Sequence, residues 1–475
     1  MSSDRAVIVL AAGAGTRMKS SKPKMLHELL GRTLLGHVMK AASAAKATSS
    51  IVVVGQRADL VTEHVAAIAP NASTVFQAEQ NGTGHAVRTA MEAHPDLQGT
   101  VIVLNGDVPL LTSATVEQFL DAHEVAQHAA TVLTSEVDDP IGLGRIIRDE
   151  NGRFERIVEH GDATDSELTI NEINGGIYAF DAALLREALS ELNAENSQGE
   201  EYLTDVLELL YKGGHQVGAH VVQDPTELLG CNDRLQLAQL RALLRDRINT
   251  GLMKSGVTIE DPATTWIDTG VKVENDVVIR PGCQLRGATA VDTGVEIGPD
   301  TTLIDTIVES DAAVVRSHAV QATIGPEANV GPFSYLRPGA KLAEHSKVGA
   351  YVEVKASEIG PGAKVPHLSY VGDATVGDKA NVGCGVIVAN YDGIAKHHTT
   401  IGAGSFVGCD SVLVAPVNVG DGTYVAAGSV VTKDVEPGEL AIERDNQRNV
   451  AGWVAKRRPG TYTAEAAHQA KRSES

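Results

Sequence analysis

The sequence predicts an α/β domain on a parallel sheet, followed by an all-β parallel β-helix of hexapeptide repeats. Three observations carry this. Short aliphatic runs alternate with helix-like segments in the first half, and from about residue 270 an aliphatic side chain returns at every sixth position. Glycine, 47 of 475 residues, also exceeds its usual share of about 7%.

In the first half, Val7–Leu10, Ile51–Val54 and Val101–Leu104 read as buried strands. Leu34–Ala45, Asp59–Ala67 and Gly84–Glu92 between them read as helices. Strand–helix alternation implies a parallel sheet covered on both faces. Ala130–Thr134, Arg145–Arg148, Gly176–Phe180 and Gln216–Val222 are further strand candidates of mixed character. Asp233–Leu252 places Leu237, Leu240, Leu244 and Ile248 at helical spacing and is expected to be a connecting helix.

The second half has a different period. Val273, Ile279, Leu285, Val291, Ile297 and Leu303 form one six-step run. The count resets at Val308, Val314 and Val320, and again at Ile324, Ile359 and Val376. It is interrupted after Val388 and returns at Ile401. Period six is neither helical nor alternating; it marks a solenoid with three six-residue sides per coil and one inward aliphatic per side. A β-sandwich with frequent turns would not hold that register. The expected domains are 1–232, a connecting helix or linker at 233–255, the β-helix at 256–455, and a polar, disordered tail at 456–475.

Composition narrows the function. Forty Lys and Arg against 61 Asp and Glu leave a net charge of −21, which argues against a nucleic-acid partner held on a general basic surface. The apolar stretch Ala6–Ala14 is short and holds two glycines, so it reads as strand and loop rather than a signal peptide; no run suits a membrane span. The four cysteines, Cys231, Cys283, Cys384 and Cys409, form no CxxC pair, which fits a reducing, cytoplasmic setting.

Two places carry chemistry. The first is the loop Ala11-Ala-Gly-Ala-Gly-Thr-Arg-Met18 after the first strand. Met18 replaces the third glycine of a dinucleotide fingerprint, and no P-loop pattern is present. Arg17 and Lys24 beside exposed backbone N–H groups make a local phosphate cradle; alone, they could equally be solvated cations on a tight turn. The second is the break at Ala389-Asn-Tyr-Asp-Gly-Ile-Ala-Lys-His-His398, because loops inserted in a solenoid gather on a working face.

The loop at 10–18 with Pro23-Lys24, then Gln77–Gly84, Leu104–Leu110, Gly142–Ile146, Ile157–Glu159, Glu172–Gly176 and Cys231–Gln236 resemble, in order, sugar-phosphate nucleotidyltransferases. Joined to the hexapeptide half, the chain resembles the bacterial bifunctional N-acetylglucosamine-1-phosphate uridyltransferase/glucosamine-1-phosphate acetyltransferase family over nearly its whole length. The resemblance implies a Rossmann-like α/β nucleotidyltransferase domain, a left-handed β-helix and a homotrimer. It implies small-molecule substrates, among them UTP and acetyl-CoA, with Mg²⁺ as cofactor and no membrane partner. The product would be UDP-N-acetylglucosamine for peptidoglycan and other envelope polysaccharides. A single-activity nucleotidyltransferase with a structural β-helix is the alternative.

The resemblance also assigns roles. Leu10, Ala11, Ala12, Gly13, Arg17 and Lys24 would hold the UTP phosphates, with Arg17 and Lys24 countering charge on the leaving group. Gln77, Gln80, Gly82 and Thr83 would hold uracil. Asn105 and Gly106 would line the nucleotide site, and Asp107 would share Mg²⁺ with Asn232. Read alone, Asp107 is as well a helix cap at a strand end. Gly144, Glu159 and Asn174 would bind the sugar; Glu159 and Asn174 could otherwise be polar surface.

In the second half the resemblance selects His367, in Val365-Pro-His-Leu-Ser-Tyr370, as the base for acetyl transfer; imidazole titrates in the right range. His397 and His398 lie on the inserted loop. Arg337 and Lys355 would bind the sugar phosphate, and Tyr370, Asn381, Asn390 and Tyr391 would place the amino sugar and acetyl donor. Cys384, Cys409, Ala427 and Arg444 would line the acetyl-CoA groove. Three positions depart from the family pattern: Cys409 where Ser is expected, Cys384 where a residue like Ala is expected, and Gly175 where Thr is expected. A thiol is a weaker hydrogen-bond donor than a hydroxyl.

Overall fold

The computed structural model describes residues 4–194, 196 and 199–473. The chain divides into two compact units, Met1–Asp305 and Thr306–Ser475.

The first unit is built on a sheet in the order Val217–Val221, Ala130–Glu136, Glu172–Asp181, Thr100–Asn105, Arg5–Ala11, Ser49–Val54 and Ser73–Phe76. The strands at 5–11, 49–54, 73–76 and 100–105 pair in parallel. Glu172–Asp181 enters antiparallel to both neighbours, so the later half is mixed. Helices α1 (Leu34–Ala42), α2 (Ala58–Ile68), α3 (Thr83–Ala93), α4 (Ser113–Ala126), α5 (Ala182–Ser190) and α6 (Leu203–Lys212) connect the strands. Alternate residues of each central strand enter opposite layers. Ile8, Ile51 and Val103 pack with α3, α5 and α6, while Val9, Val52 and Leu104 pack with α1, α2 and α4. The continuous aliphatic runs are thus the mark of a sheet buried on both faces.

Helix α7 (Arg234–Lys254) is more than a connection. Asp233 caps it by accepting the Gln236 N–H at 2.9 Å. Leu237, Leu240 and Leu244 are buried with Met18, Leu29, Leu34, Leu110 and Cys231. Arg247 donates to the Leu110 carbonyl at 2.6 Å. The compact unit therefore runs past residue 232, through α7 and the first coils of β-helix. In those coils Gln284↔Thr302 and Val278↔Glu296 pair 18 residues apart, the length of three hexapeptides.

The second unit is a parallel β-helix. Each short strand pairs with the strand one coil later, as in Thr323↔Lys341, Asn329↔Lys347 and Tyr335↔Glu353, each 18 apart. The resets in the sequence are coils one or two residues short. Lys341↔Glu358 and Lys364↔Asn381 are 17 apart, and Ile307↔Thr323 only 16. The six-step aliphatics Ile324, Val330, Leu336, Val348, Val365, Val382, Val407 and Leu413 are fully buried. Val320 is displaced from this pattern: Ala319 points inward in its place, because the side before it is a residue short.

Glycines after the inward aliphatics permit close stacking of coils. A Cβ on Gly377 would lie 2.6 Å from the Ala403 nitrogen, and one on Gly325 2.6 Å from the Leu342 carbonyl oxygen. Many corners use other residues at positive φ, including Asp311, Phe333, Tyr351, Leu368 and Asp373. Buried Ser side chains bind the corner backbone, as Ser334 does to Gly349 O at 2.7 Å. Two exposed helices stand where a disordered tail was expected: α8 (Trp453–Arg457) runs into it and α9 (Tyr462–Ser473) lies within it. The Ala-rich stretch after Thr461, with Glu465 in its first turn and Lys471 and Arg472 in its last, favours α9. Glu474 and Ser475, also within that expected tail, lie outside the described residues.

Leu336→Ala removes a fully buried inward residue and is expected to cost about 2–5 kcal/mol. Lys341→Ala, on the exposed face of the same unit, is expected to cost under about 0.5 kcal/mol. Denaturant titration of both variants checks this; equal costs would contradict the inward assignment.

Candidate active sites

The carboxyl ends of the parallel strands at 5–11, 49–54 and 100–105 lie at one edge, where open α/β sheets collect ligands. Leu10, Ala12, Gly13, Lys24, Met25, Gln77, Gln80, Gly82, Thr83, Ala86, Asn105, Asp107 and Glu200 line a cavity of about 340 Å³ there. The loop after the first strand is held close by missing side chains. Gly15 has φ +61°, and a Cβ on it would sit 2.6 Å from Lys24 Cβ. Gly55 leaves room for the Ala12 carbonyl, which would lie 2.5 Å from a Cβ there. Gln80 donates to that carbonyl at 2.6 Å.

Lys24 Nζ lies 2.6 Å from Asp107 Oδ2 and 3.3 Å from Asn232 Oδ1. Both oxygens thus converge on one cation, in surroundings that leave the Lys24 side chain 10% and the Asp107 side chain 19% exposed. Two hard oxygen donors facing one cation suit Mg²⁺, which keeps several waters besides its protein ligands. Behind them Cys231 donates its backbone N–H to Asp107 O at 2.9 Å. Burial pushes the Cys231 thiol up to about 11. Arg17 is exposed on the short helix Thr16–Met18 and does not line the cavity.

Gln77, almost fully buried, donates to Gly82 O at 3.3 Å and meets His85 Nδ1 at 3.0 Å. Gly82, at φ +109°, leaves no room for a Cβ against the Glu201 backbone. A strap unmarked by any sequence motif closes this side: Glu201 O accepts from Gly84 N, Glu201 N donates to Asn81 O, and Arg88 pairs with the Glu201 carboxylate at 2.7 Å. Thr83 Oγ1 caps the strap at Leu203 N. Only the contacts reveal this partnership, because more than a hundred residues separate its members.

The expected sugar residues also meet. Asn174 N donates to Gly144 O at 2.9 Å, and its side chain exchanges hydrogen bonds with Tyr178. Gly176, at φ +68°, lies against the Asn105 amide, joining this group to the nucleotide cavity. Glu159 lies beside Gly144 and lines a second cavity of about 510 Å³ with Asp162, Asp205 and Glu208. Burial, with Asp205 and Asp162 nearby, raises the Glu159 pKa. Burial and Glu208 push Asp205 up to about 6. At Gly175, where Thr was expected, a Cβ would lie 2.5 Å from Leu133 O and 2.7 Å from Leu228, so this backbone has room only for glycine.

The acetyl-transfer candidates separate into two groups on the second unit. Arg337, Lys355, Tyr370 and Asn390 gather with Asp373, which the sequence did not single out. Lys355 Nζ lies 3.0 Å from Asp373 Oδ2, Asn390 donates to the same oxygen, and Tyr370 Oη lies 3.4 Å from the Asn390 amide. Burial opposes ionisation of Asp373, but hydrogen bonds from Lys355 and Asn390 outweigh it and lower its pKa. The neutral Lys396 amine and the Asp373 carboxylate accept from Lys355 and hold its ammonium charged, and that charge pushes Lys396 down. Arg337 pairs with Glu353 at 2.8 Å. Tyr391 stays outside this group, its hydroxyl donating to Gly393 O.

Asp392 organises the inserted loop. It accepts from Ile394 N, Ala395 N and His397 Nε2 at 2.7–2.8 Å. His398 meets Thr375 at 3.0 Å. Both histidines thus have structural partners.

His367 is exposed at the end of the strand Lys364–His367, at the other end of the coil side from Asp373. Its carbonyl accepts from Gly385 N, Cys384 O from Asp410 N, and Cys409 O from Gly428 N. Arg444 donates to Ala427 O at 2.7 Å. His367, Cys384, Cys409, Ala427 and Arg444 therefore stack in a column at one corner of successive coils. Asn381 pairs with Lys364 on the sheet leading into that corner.

Known proteins show the same two modules. Residues 7–212 match the MobA-like NTP transferase domain, and residues 398–433 match the bacterial transferase hexapeptide (six repeats). The bifunctional protein GlmU of Streptomyces coelicolor is 54% identical over 98% of this chain and 97% of its own length. GlmU of Streptomyces avermitilis is 52% identical over 98% and 97%. That of Corynebacterium aurimucosum is 51% identical over 98% and 96%. The fold is that of a nucleotidyltransferase joined to a hexapeptide-repeat transferase. The chain belongs to the bifunctional GlmU family.

The raised carboxyl in the acidic cavity has a measurable consequence. Its folded pKa of about 6 lies above the unfolded value of about 3.9, so its protonation favours the folded state at low pH, and that contribution is lost as pH rises through 6. Asp205→Asn is expected to change melting little at pH 4 and raise it at pH 8, by a modest amount because the group is partly solvated. An equal shift at both pH values would refute the assignment.

Proposed function

We propose that this bifunctional transferase makes UDP-N-acetylglucosamine at two separate sites. The second unit transfers acetyl from acetyl-CoA to glucosamine-1-phosphate. The first then transfers uridylyl from UTP to N-acetylglucosamine-1-phosphate, releasing pyrophosphate. The convergence of Lys24, Asp107 and Asn232 at the carboxyl edge of the sheet carries this reading, with the Asp373 group on the solenoid as its independent counterpart.

Uridylyl transfer asks little of protein acids and bases, because the phosphate oxygen of the sugar ester is already nucleophilic. Catalysis is alignment and charge neutralisation. Gln77, Gln80, Gly82 and Thr83 seat the uracil, and Gly144, Glu159 and Asn174 seat the sugar. The phosphates lie along the Leu10–Gly13 backbone, where Lys24 faces the developing charge and Arg17 closes on it from the loop. Asp107 and Asn232 would hold Mg²⁺, which would supply charge neutralisation for the phosphates.

In acetyl transfer, Arg337 and Lys355 hold the sugar phosphate, while Tyr370, Asn381 and Asn390 orient the amino sugar. His367 takes the proton from the attacking amine. Tyr391, Cys384, Cys409, Ala427 and Arg444 line the acetyl-CoA groove. His367 and Asp373 lie six positions apart, at opposite ends of one coil side, at most about 20 Å at strand rise. A site that uses His367 together with the Lys355 group takes them from two copies of the chain, which supports a homotrimer through the β-helix. The free cysteines accord with a cytoplasmic enzyme.

Three outcomes are expected when CoA thiol and pyrophosphate are read separately from glucosamine-1-phosphate, acetyl-CoA, UTP and Mg²⁺. Asp107→Ala abolishes uridylyl transfer and leaves acetyl transfer nearly intact; loss of both in a folded variant would dismiss the two-site reading. His367→Ala does the reverse, and undiminished acetylation would remove His367 from its role. Chelation of divalent ions stops pyrophosphate release and spares CoA release; acetylation equally sensitive to chelation would count against Mg²⁺ at Asp107 alone.

A further inference from the structure

Cys384 and Cys409 are the two departures from the family pattern that share one corner. They occupy matching places on adjacent coils. Asn381 pairs with Phe406 and Val382 with Val407, and continuing that register sets Cys384 beside Cys409. The hydrogen bonds agree: Gly383 N donates to Val407 O and Asp410 N to Cys384 O, both at 2.8 Å. Paired strands lie about 4.8 Å apart, within the Cα separation of about 4.4–6.8 Å that a disulfide spans. Both thiols are free; Cys384 is half-buried and Cys409 exposed. Cys231 and Cys283 are buried and belong to other parts of the chain.

We propose that Cys384 and Cys409 form an oxidisable dithiol whose disulfide closes the acetyl-donor corner. With a peroxide as oxidant, the Cys409 thiolate attacks the O–O bond, giving a sulfenic acid and one water once the proton is returned. The Cys384 thiol then attacks that sulfur and displaces a second water. Two thiols lose two electrons and two protons, and hydrogen peroxide is reduced to two waters. The bond replaces two separate groove side chains with one bridge, between His367 on the coil before and Ala427 on the coil after. The consequence for activity rests on the reading of this corner as the acetyl-CoA groove; the cross-link itself does not.

The test treats the full chain with hydrogen peroxide, maps disulfides by mass spectrometry, and assays both transfers before and after. The expected result is a peptide joining Cys384 to Cys409 with Cys231 and Cys283 unmodified. Acetyl transfer should fall on the order of 100-fold, the scale of a substrate displaced by about 1 Å. Dithiothreitol should restore it, and uridylyl transfer should stay unchanged. Cys409→Ser, compared with its own untreated rate, should lose both cross-link and sensitivity. Separate over-oxidation of the two thiols without a joined peptide would overturn the pairing. A joined peptide with full acetyl transfer would overturn the closure. Untreated enzyme that transfers no acetyl group would instead refute the functional reading of the corner, while the peptide map would still decide the dithiol.

Discussion

Parallel strand pairing is the constraint on which both candidate sites depend. Strands that run the same way end at the same edge. In the α/β module this brings the loops after 5–11, 49–54 and 100–105 together, and Lys24, Asp107 and Asn232 converge among them. In the solenoid each strand lies over the strand of the previous coil. A residue repeated at a corner therefore becomes a column along the molecule, and His367, Cys384, Cys409, Ala427 and Arg444 form one such column.

The two modules meet the cost of burying charge differently. Around Lys24 and Asp107 the pair is well shielded, so each needs the other, and a cation or phosphate arriving there meets groups already arranged. Around Asp373 the charge is spread over Lys355, Lys396 and Asn390. The Lys355 ammonium is held by the Asp373 carboxylate rather than free to swing. The acidic cavity beside Glu159 has the opposite character: burial, and then the neighbouring carboxyls, raise the affinity of Glu159 and Asp205 for protons.

Much of the architecture was legible in sequence. The Val7–Leu10, Ile51–Val54 and Val101–Leu104 runs lie within strands, and the six-step aliphatics line the solenoid interior. Coil-length changes were visible only as resets; the pairing showed where each residue was lost, and that Ala319 rather than Val320 points inward. The Glu201 strap, the Asp373 hub and the partners that cover α7 had no sequence signal, since each depends on partners far apart in the chain or on a corner that any polar residue could occupy.

Sequence by itself determined the two folds, because period and apolar runs set which side chains must leave water. It also marked where the candidate sites lie, because loops after strands and breaks in a repeat stand out against that period. Tertiary structure decided which of those residues meet. It put Lys24 on Asp107 and Asn232, left Arg17 and His367 exposed, and sent the residues expected for acetyl transfer to opposite ends of one coil side. Distances of this kind follow from coil length and strand register, which local propensity does not encode.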